Sequence, residues 1–293
     1  MRLEDRVAIV TGGSAGIGRG NCLELAREGA KVVVADLQEQ PKIGKFHETE
    51  AQAPTAAAIA AEGGEALFVA TDVADEAAVE NLVARAVAGF GGLDIVVNNA
   101  GIIVPGDSQE LAVEAWDRVI GVNLRSIFLA TKFAVPHLRR SAAGRIVNIA
   151  SVHAFAGGGG PAYASAKAGV VNLTRDAAVE LAADNITVNS ICPGYIETPI
   201  QDYLNEEIIE ECKKVTPLPR LGARRCFSLR TTRRGLRGRR CRWMEGGWRR
   251  SGSGAMTPQG EEALCIRCWR PYRCTAGRMF SPGCGDCRGR PFC

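Results

Sequence analysis

Histidine is scarce in this chain: three in 293 residues, at His47, His137 and His153. No cluster of His, Asp and Glu stands in the first 222 residues to suggest a metal. The same region has only Cys22, Cys192 and Cys212, each in apolar surroundings, which fits a reduced setting. No run of about 18 apolar residues is present to span a bilayer. No basic-then-apolar leader opens the chain, since "MRLEDRVAIV" runs straight into a strand-like stretch. The expectation is a cytoplasmic protein without a membrane partner. Lysine is absent from residues 223–293 altogether, and that absence marks a change of character.

The net charge of +4 hides this change. Up to Gly222, acidic residues outnumber basic ones; beyond it, 17 arginines face four acids, and eight of the 11 cysteines are found there. The chain therefore divides into a body, 1–222, and an Arg/Gly/Cys-rich tail, 223–293.

The body alternates strand and helix. "RVAIVT" (6–11) is a short apolar run ending at glycines, and reads as a buried strand. "GIGRGNCLELAREG" then puts Ile17, Cys22, Leu25 and Ala26 at helical spacing until Gly29 stops it. Further strands are expected at 31–36, 66–70, 93–98, 144–151 and 186–191. Helices are expected near 55–62, 75–89, 113–139 and 161–183, and the polar segment 37–54, with its two prolines, reads as a surface loop. Continuous apolar strands alternating with helices imply an α/β fold: a doubly wound, Rossmann-type parallel sheet in three layers. There is no internal repeat beyond this alternation.

"TGGSAGIG" (11–18) lies between the first strand and the first helix. Gly12 allows the tight turn, Gly16 lets backbone approach a pyrophosphate, and Gly18 lets helix pack on strand. The helix N-terminus offers unpaired N–H groups to the anion. Such a turn can also be purely structural. Asp36 ends the second strand, where a carboxylate accepts hydrogen bonds from an adenosine ribose and repels a 2′-phosphate. No Lys or Arg stands at Ala15 or Leu37 to attract that phosphate, so NAD is favoured over NADP. The plain alternative for Asp36 is a solvated strand-end acid.

"YASAK" places Tyr163 and Lys167 four residues apart, neighbours on a helix face. A free phenol has a pKa of about 10, and a nearby ammonium lowers it, so Tyr163 gains the means to exchange a proton with a hydroxyl or carbonyl oxygen. Ser151 ends the fifth strand, at the sheet end where open α/β folds bind ligands. Taken singly, the pair is an ordinary helix face and the serine an ordinary cap. His153 reads as a shape-giving pocket residue, His47 and His137 as surface residues, and Gly157–Gly160 as a pocket rim.

Together these motifs resemble the short-chain dehydrogenase/reductase family over residues 5–222. "TGGSAGIG" resembles its cofactor turn, which would place Thr11, Gly12, Ser14, Gly16, Ile17 and Gly18 at the cofactor, with Asp36 and Leu37 beside the adenosine. "TDV" (71–73) resembles its adenine-side segment, with Asp72 and Val73. "NNAG" (98–101) resembles its fourth-strand signature, with Asn99 chiefly structural and Ala100 and Gly101 beside the cofactor. "PGYIETP" (193–199) resembles its nicotinamide-side loop, with Pro193, Gly194, Ile196 and Thr198. Asn123, Ser151, Tyr163 and Lys167 fall where the family has its catalytic tetrad. The resemblance implies hydride transfer between a nicotinamide cofactor and an alcohol or ketone, such as a small alcohol, sugar, steroid or 3-oxoacyl group. In that scheme Tyr163 is the acid/base. Lys167 lowers its pKa and binds the nicotinamide ribose, Ser151 positions substrate, and Asn123 holds a water in a proton relay. The family also implies a homodimer or homotetramer.

The tail departs from the family. After "PLPRLG" (217–222) its members continue through a "FLASD…TG…VDGG" segment, which is missing here. Trp243-Met244-Glu245-Gly246 requires the codons TGG ATG GAR GGN. Read one frame over, these give Asp-Gly-Gly or Asp-Gly-Arg after a Val, Leu or Met codon. The tail thus reads as an out-of-frame continuation, disordered, with the last strand of the sheet lost. On that reading the chain carries the site but works poorly or not at all, leaving an NAD-binding protein of weak activity as the alternative. The Cys265-x2-Cys268 and Cys284-x2-Cys287 pairs have zinc-ribbon spacing, and the arginines could serve nucleic acid. Eight cysteines in so short a tail make such spacing easy to reach by chance, so neither a metal nor a nucleic-acid partner is expected.

Overall fold

The computed structural model of the chain describes residues 1–215, 248–250 and 256–258. The body is built from β1 (Val7–Thr11), α1 (Gly16–Arg27), β2 (Lys31–Asp36), α2 (Thr55–Ala61), β3 (Ala66–Ala70), α3 (Glu76–Phe90) and β4 (Ile95–Asn98). There follow α4 (Val113–Ile120), α5 (Ser126–Leu138), β5 (Arg145–Ile149), α6 (Pro161–Glu180), β6 (Thr187–Ile191) and α7 (Glu206–Val215). The six strands form one sheet in the order β3-β2-β1-β4-β5-β6, and every pair in it is parallel. Strand order reverses between β1 and β4, which opens a crevice at their carboxyl ends.

Alternation along the strands explains the three layers. Ile9, Val33, Val96 and Ile146 face one side, where α3 and α5 cover them with Leu82, Val83, Leu129 and Leu138. Ala8, Val10, Val32, Val34 and Val97 face the other, under Cys22 and Leu25 of α1 and Ile59 of α2. Strands buried on both faces must be apolar throughout, which is why each reads as an unbroken hydrophobic run. The edge strand β6 differs. Of its five residues only Val188 is buried, and among the described residues no strand pairs with its outer edge.

Local signals set the boundaries. Asp75 caps α3 by accepting from the Ala77 amide at 2.8 Å, and Gly91 ends it in the left-handed region, φ 81. The long helix expected at 113–139 is interrupted by a π-turn at Gly121–Arg125. One stretch nonetheless is long and apolar enough by length and composition to cross a membrane: Val113–Leu138 runs helical for 26 residues, and its most apolar 18-residue window reaches a mean hydropathy of 1.3. Its apolar side chains Leu129, Ala130, Ala134 and Leu138 are buried on the sheet, so the core accounts for them. Helix α7 lies in a stretch to which no element is assigned above.

In the tail, Trp248–Arg250 pairs antiparallel with Met256–Pro258. The expectations of disorder, of an out-of-frame continuation and of a zinc ribbon at Cys265–Cys287 otherwise fall on residues outside those described.

Candidate functional site

The glycine turn is shaped by close backbone approach. Gly12 and Gly16 take left-handed φ values of 64 and 54, a region that favours residues without a Cβ. A Cβ on Gly18 would stand 1.8 Å from the Gly12 carbonyl oxygen, so α1 can meet β1 only through glycine. Asn99 holds the turn from β4: its Nδ2 donates to the carbonyls of Thr11 at 3.0 Å and Gly12 at 3.1 Å. The Thr11 hydroxyl accepts from the amides of Asn99 and Ala100. Thr55 at the start of α2 donates to the Gly13 carbonyl at 2.9 Å, a buttress that no motif announces. The N-cap of α1 is Ala15, which has no side chain to cap the helix. The first amides of α1 therefore have no acceptor from the N-cap residue, and they are the donor set a pyrophosphate requires.

Asp36 sits at the carboxyl end of β2, beside this turn. Its two oxygens accept from the Ser14 amide at 3.0 Å and the Leu37 amide at 2.8 Å. Leu37 is exposed. Asp72 is exposed and accepts from the Ala74 amide at 2.9 Å, while Val73 is buried in the core.

Ser151, Tyr163, Lys167 and Asn123 come together at the carboxyl end of β5, all buried. Ser151 does cap the short turn Val152–Ala154, accepting from the His153 amide at 3.2 Å, and its hydroxyl lies close enough to the Tyr163 phenol to pull that phenol's pKa down. The Lys167 ammonium lies 5.5 Å from the Tyr163 ring centre and donates to the Ile149 carbonyl at 2.8 Å. Burial dominates the electrostatics here. It pushes the phenol up to about 12, against the pull of Ser151, and pushes the Lys167 ammonium down to about 8. The influences on the phenol are burial first, then the Ser151 hydroxyl and Tyr203.

Asn123 lies in the π-turn. Its Nδ2 donates to the carbonyls of Ile102 and Val119, each at 2.9 Å, while its Oδ1 is buried without a partner. A Cβ on Gly101 would stand 2.7 Å from that oxygen and 3.6 Å from Lys167 Nζ. Gly101 thus keeps open the space that the two polar atoms share. His153 meets Tyr163 edge-on, ring centres 6.2 Å apart. A Cβ on Gly159 would stand 2.9 Å from the Tyr163 ring, so the glycine run does border the pocket.

The 193–199 loop closes the other side. The Pro193 carbonyl accepts from the Val152 amide at 3.0 Å, Gly194 is exposed, Ile196 is half-buried and Thr198 is buried. Thr198 faces the cofactor turn: a Cβ on Gly16 would meet its side chain at 3.2 Å. His47 and His137, expected at the surface, are both half-buried. His47 Nε2 lies 3.0 Å from the Tyr195 hydroxyl. Sequence reasoning passed over Tyr195 and Glu48, whose carboxylate accepts from the Gly16 amide at 3.2 Å. The segment holding His47 and Glu48 has no periodicity from which such a contact could be foreseen. A cavity of about 330 Å³ between Asp5, Phe90 and Arg140 lies at the amino end of the strands and holds none of the predicted site residues.

Comparison with known proteins gives the same picture. The family model described as short chain dehydrogenase matches residues 6–209. The 2,5-dichloro-2,5-cyclohexadiene-1,4-diol dehydrogenase LinX of Sphingobium indicum is 38% identical over 222 residues, covering 75% of this chain and 85% of the relative. The cis-4-hydroxycyclohexanecarboxylate dehydrogenase of Sinomonas cyclohexanicum is 41% identical over 219 residues, covering 74% and 84%. The 3-oxoacyl-(acyl-carrier-protein) reductase FabG of Thermotoga maritima is 36% identical over 223 residues, covering 76% and 87%. Among solved structures, one described as a short-chain dehydrogenase/reductase from Burkholderia xenovorans aligns with a TM-score of 0.68 at 35% identity, covering 76% of this chain and 86% of that one.

Proposed function

The chain belongs to the short-chain dehydrogenase family of oxidoreductases, and from that premise we propose that it interconverts a secondary alcohol and its ketone with NAD. The observation that carries this reading is the burial together of Ser151, Tyr163, Lys167 and Asn123, with the Lys167 ammonium 5.5 Å from the Tyr163 ring centre. The glycine turn and the start of α1, whose N-cap Ala15 supplies no side-chain acceptor, fit a dinucleotide's pyrophosphate. When bound, the nicotinamide supplies the hydride acceptor or donor and, oxidised, a positive charge beside the phenol.

This chain's residues divide the remaining work. Ser151 holds the substrate oxygen, and Tyr163 moves the proton at that oxygen. Lys167, fixed by the Ile149 carbonyl, offers its charge to the phenolate and its remaining donors to the nicotinamide ribose. Asn123 directs its unpartnered Oδ1 toward the space beside Lys167, where a water can pass the proton onward. Pro193, Gly194, Ile196 and Thr198 orient the nicotinamide; Asp72, Val73, Ala100 and Gly101 line the rest of the dinucleotide's path. Asp36 supports NAD over NADP, since its carboxylate stands where a 2′-phosphate would have to go. Cys22 and Cys192 are free thiols, which supports a reducing, cytoplasmic setting.

Two of the relatives are named for alcohols on six-membered rings, so ring alcohols belong in the substrate panel beside 3-oxoacyl thioesters. NAD-linked oxidation of a panel member, abolished in Tyr163→Phe while NADH still binds, is the expected result. Turnover unchanged in Tyr163→Phe would defeat the proposal. A second reading, cofactor binding with little turnover, draws on β6: its outer edge is unpaired among the described residues, and the family's closing segment is missing from the sequence. NADH binding without oxidation of any panel member would select it.

A further inference from the structure

The connection between β2 and α2 is anchored across the cofactor crevice. Lys42 pairs with Asp202 at 2.9 Å and donates to the Pro199 carbonyl at 3.1 Å. The Lys45 amide donates to the same Asp202 carboxylate at 3.0 Å, and His47 meets the Tyr195 hydroxyl. All four contacts reach residues in or just beyond the nicotinamide-side loop. The chain then folds back on itself, with the Gly44 amide donating to the Glu48 carbonyl at 3.2 Å. Glu48 takes a left-handed φ of 53, a region disfavoured for a residue with a Cβ. In that conformation its carboxylate reaches the Gly16 amide at 3.2 Å.

That amide opens α1, whose N-cap Ala15 provides no side-chain acceptor. Glu48 therefore acts as a remote cap: it sets a negative charge on the positive end of the helix dipole. The seat it takes is the one assigned above to the dinucleotide's pyrophosphate. Two anions cannot share it.

We propose that residues 37–54 form a strap across the cofactor crevice and that Glu48 is an internal anion which must leave the α1 N-terminus before the pyrophosphate can bind. The inference rests on the dinucleotide-binding reading of that turn. Cofactor entry is then an exchange of one anion for another, and the strap's anchors at Asp202 and Tyr195 hold the competing carboxylate in place.

The test is fluorescence titration of the full chain with NADH, and calorimetric titration with ADP and with adenosine. Glu48→Ala and Glu48→Gln are compared with the parent chain. Glu48→Gln keeps the side chain's size and polarity, so it guards against loss of the fold. The expected result is a Kd for NADH and ADP lowered roughly two- to fivefold in both variants, the scale of one charge at a helix terminus. Adenosine, which carries no phosphate, should bind all three chains equally. Unchanged or weaker ADP binding in the variants, with NADH still bound by the parent, would overturn the strap and leave the dinucleotide reading intact. Absence of NADH and ADP binding from all three chains would overturn both.

Discussion

The carbonyl oxygen of Gly12 lies 1.8 Å from the point where a Cβ on Gly18 would stand, and Asn99 Nδ2 lies 2.6 Å from it. The two glycines are consecutive contacts in one packing event, the closure of α1 onto the end of β1. Gly18→Ala cannot be absorbed by a side-chain rotation, because the obstructing atom belongs to the backbone. Overpacking of this kind costs about 1–3 kcal/mol. The variant should unfold at a lower urea concentration and should lose NADH binding in fluorescence titration. Parent-like affinity would mean that α1 shifts without harm to the anion seat.

Asp36 connects the turn to cofactor choice. Its oxygens hold the Ser14 and Leu37 amides, so the carboxylate is fixed in place before any ribose arrives. Asp36→Asn keeps the acceptor oxygen and removes the charge. Discrimination between NADH and NADPH should then fall by roughly tenfold, the scale of one charge-assisted hydrogen bond. Paired titrations with the two cofactors measure this, and an unaltered ratio would place cofactor choice elsewhere.

Asp94 holds the opposite end of the sheet together. It accepts from the Val7 amide and the Arg6 guanidinium, each at 2.9 Å, and also from the Ser141 hydroxyl. It is buried, so Asp94→Ala would leave the Val7 amide and its other donors without their acceptor. A loss of about 2–4 kcal/mol is expected, read as a lower urea midpoint, with NADH affinity retained because the site lies at the other end of the strands.

The sequence disclosed the sheet because its physics is local. Val32 to Ala35 and Val96 to Val97 must be apolar on both faces, and an unbroken hydrophobic run is visible without any knowledge of partners. The tetrad residues were legible for a different reason, since Tyr163 and Lys167 share a helix face by spacing alone. What escaped depends on contacts distant in sequence or on subtler signals. No periodicity announces that Glu48 reaches Gly16, or that Asp202 anchors Lys42 and Lys45. The π-turn adds one residue per turn over a short span and leaves the apolar pattern around Asn123 unchanged. Helix α7 did carry a signal: Asn205 caps the Ile208 amide at 2.9 Å, with Glu206 and Glu207 in the first turn and Lys213 and Lys214 in the last. That is an ordinary start-and-stop pattern, obscured by the small number of apolar residues between.

Lys167 provides a prediction in pH. Burial lowers its ammonium from the ordinary value of 10.5 to about 8 in the folded chain. Below pH 8 both folded and unfolded chains hold the proton, and folding bears the full cost of a buried charge. Between about pH 8 and 10.5 the unfolded chain binds more protons at this site than the folded one, so the Lys167 contribution to stability rises with pH across that window, opposed by the Cys22 thiol, whose pKa burial raises. Tyr163 acts with the opposite sign at higher pH. Its phenol is pushed from 10 up to about 12, so the unfolded chain loses its proton first and stability falls above pH 10. In Lys167→Met the rise between pH 8 and 10 should vanish while the fall above pH 10 remains. Urea midpoints of the two proteins from pH 7 to 11 would show it. A variant that kept the same rise would assign it to another group and leave Lys167 with an unshifted ammonium.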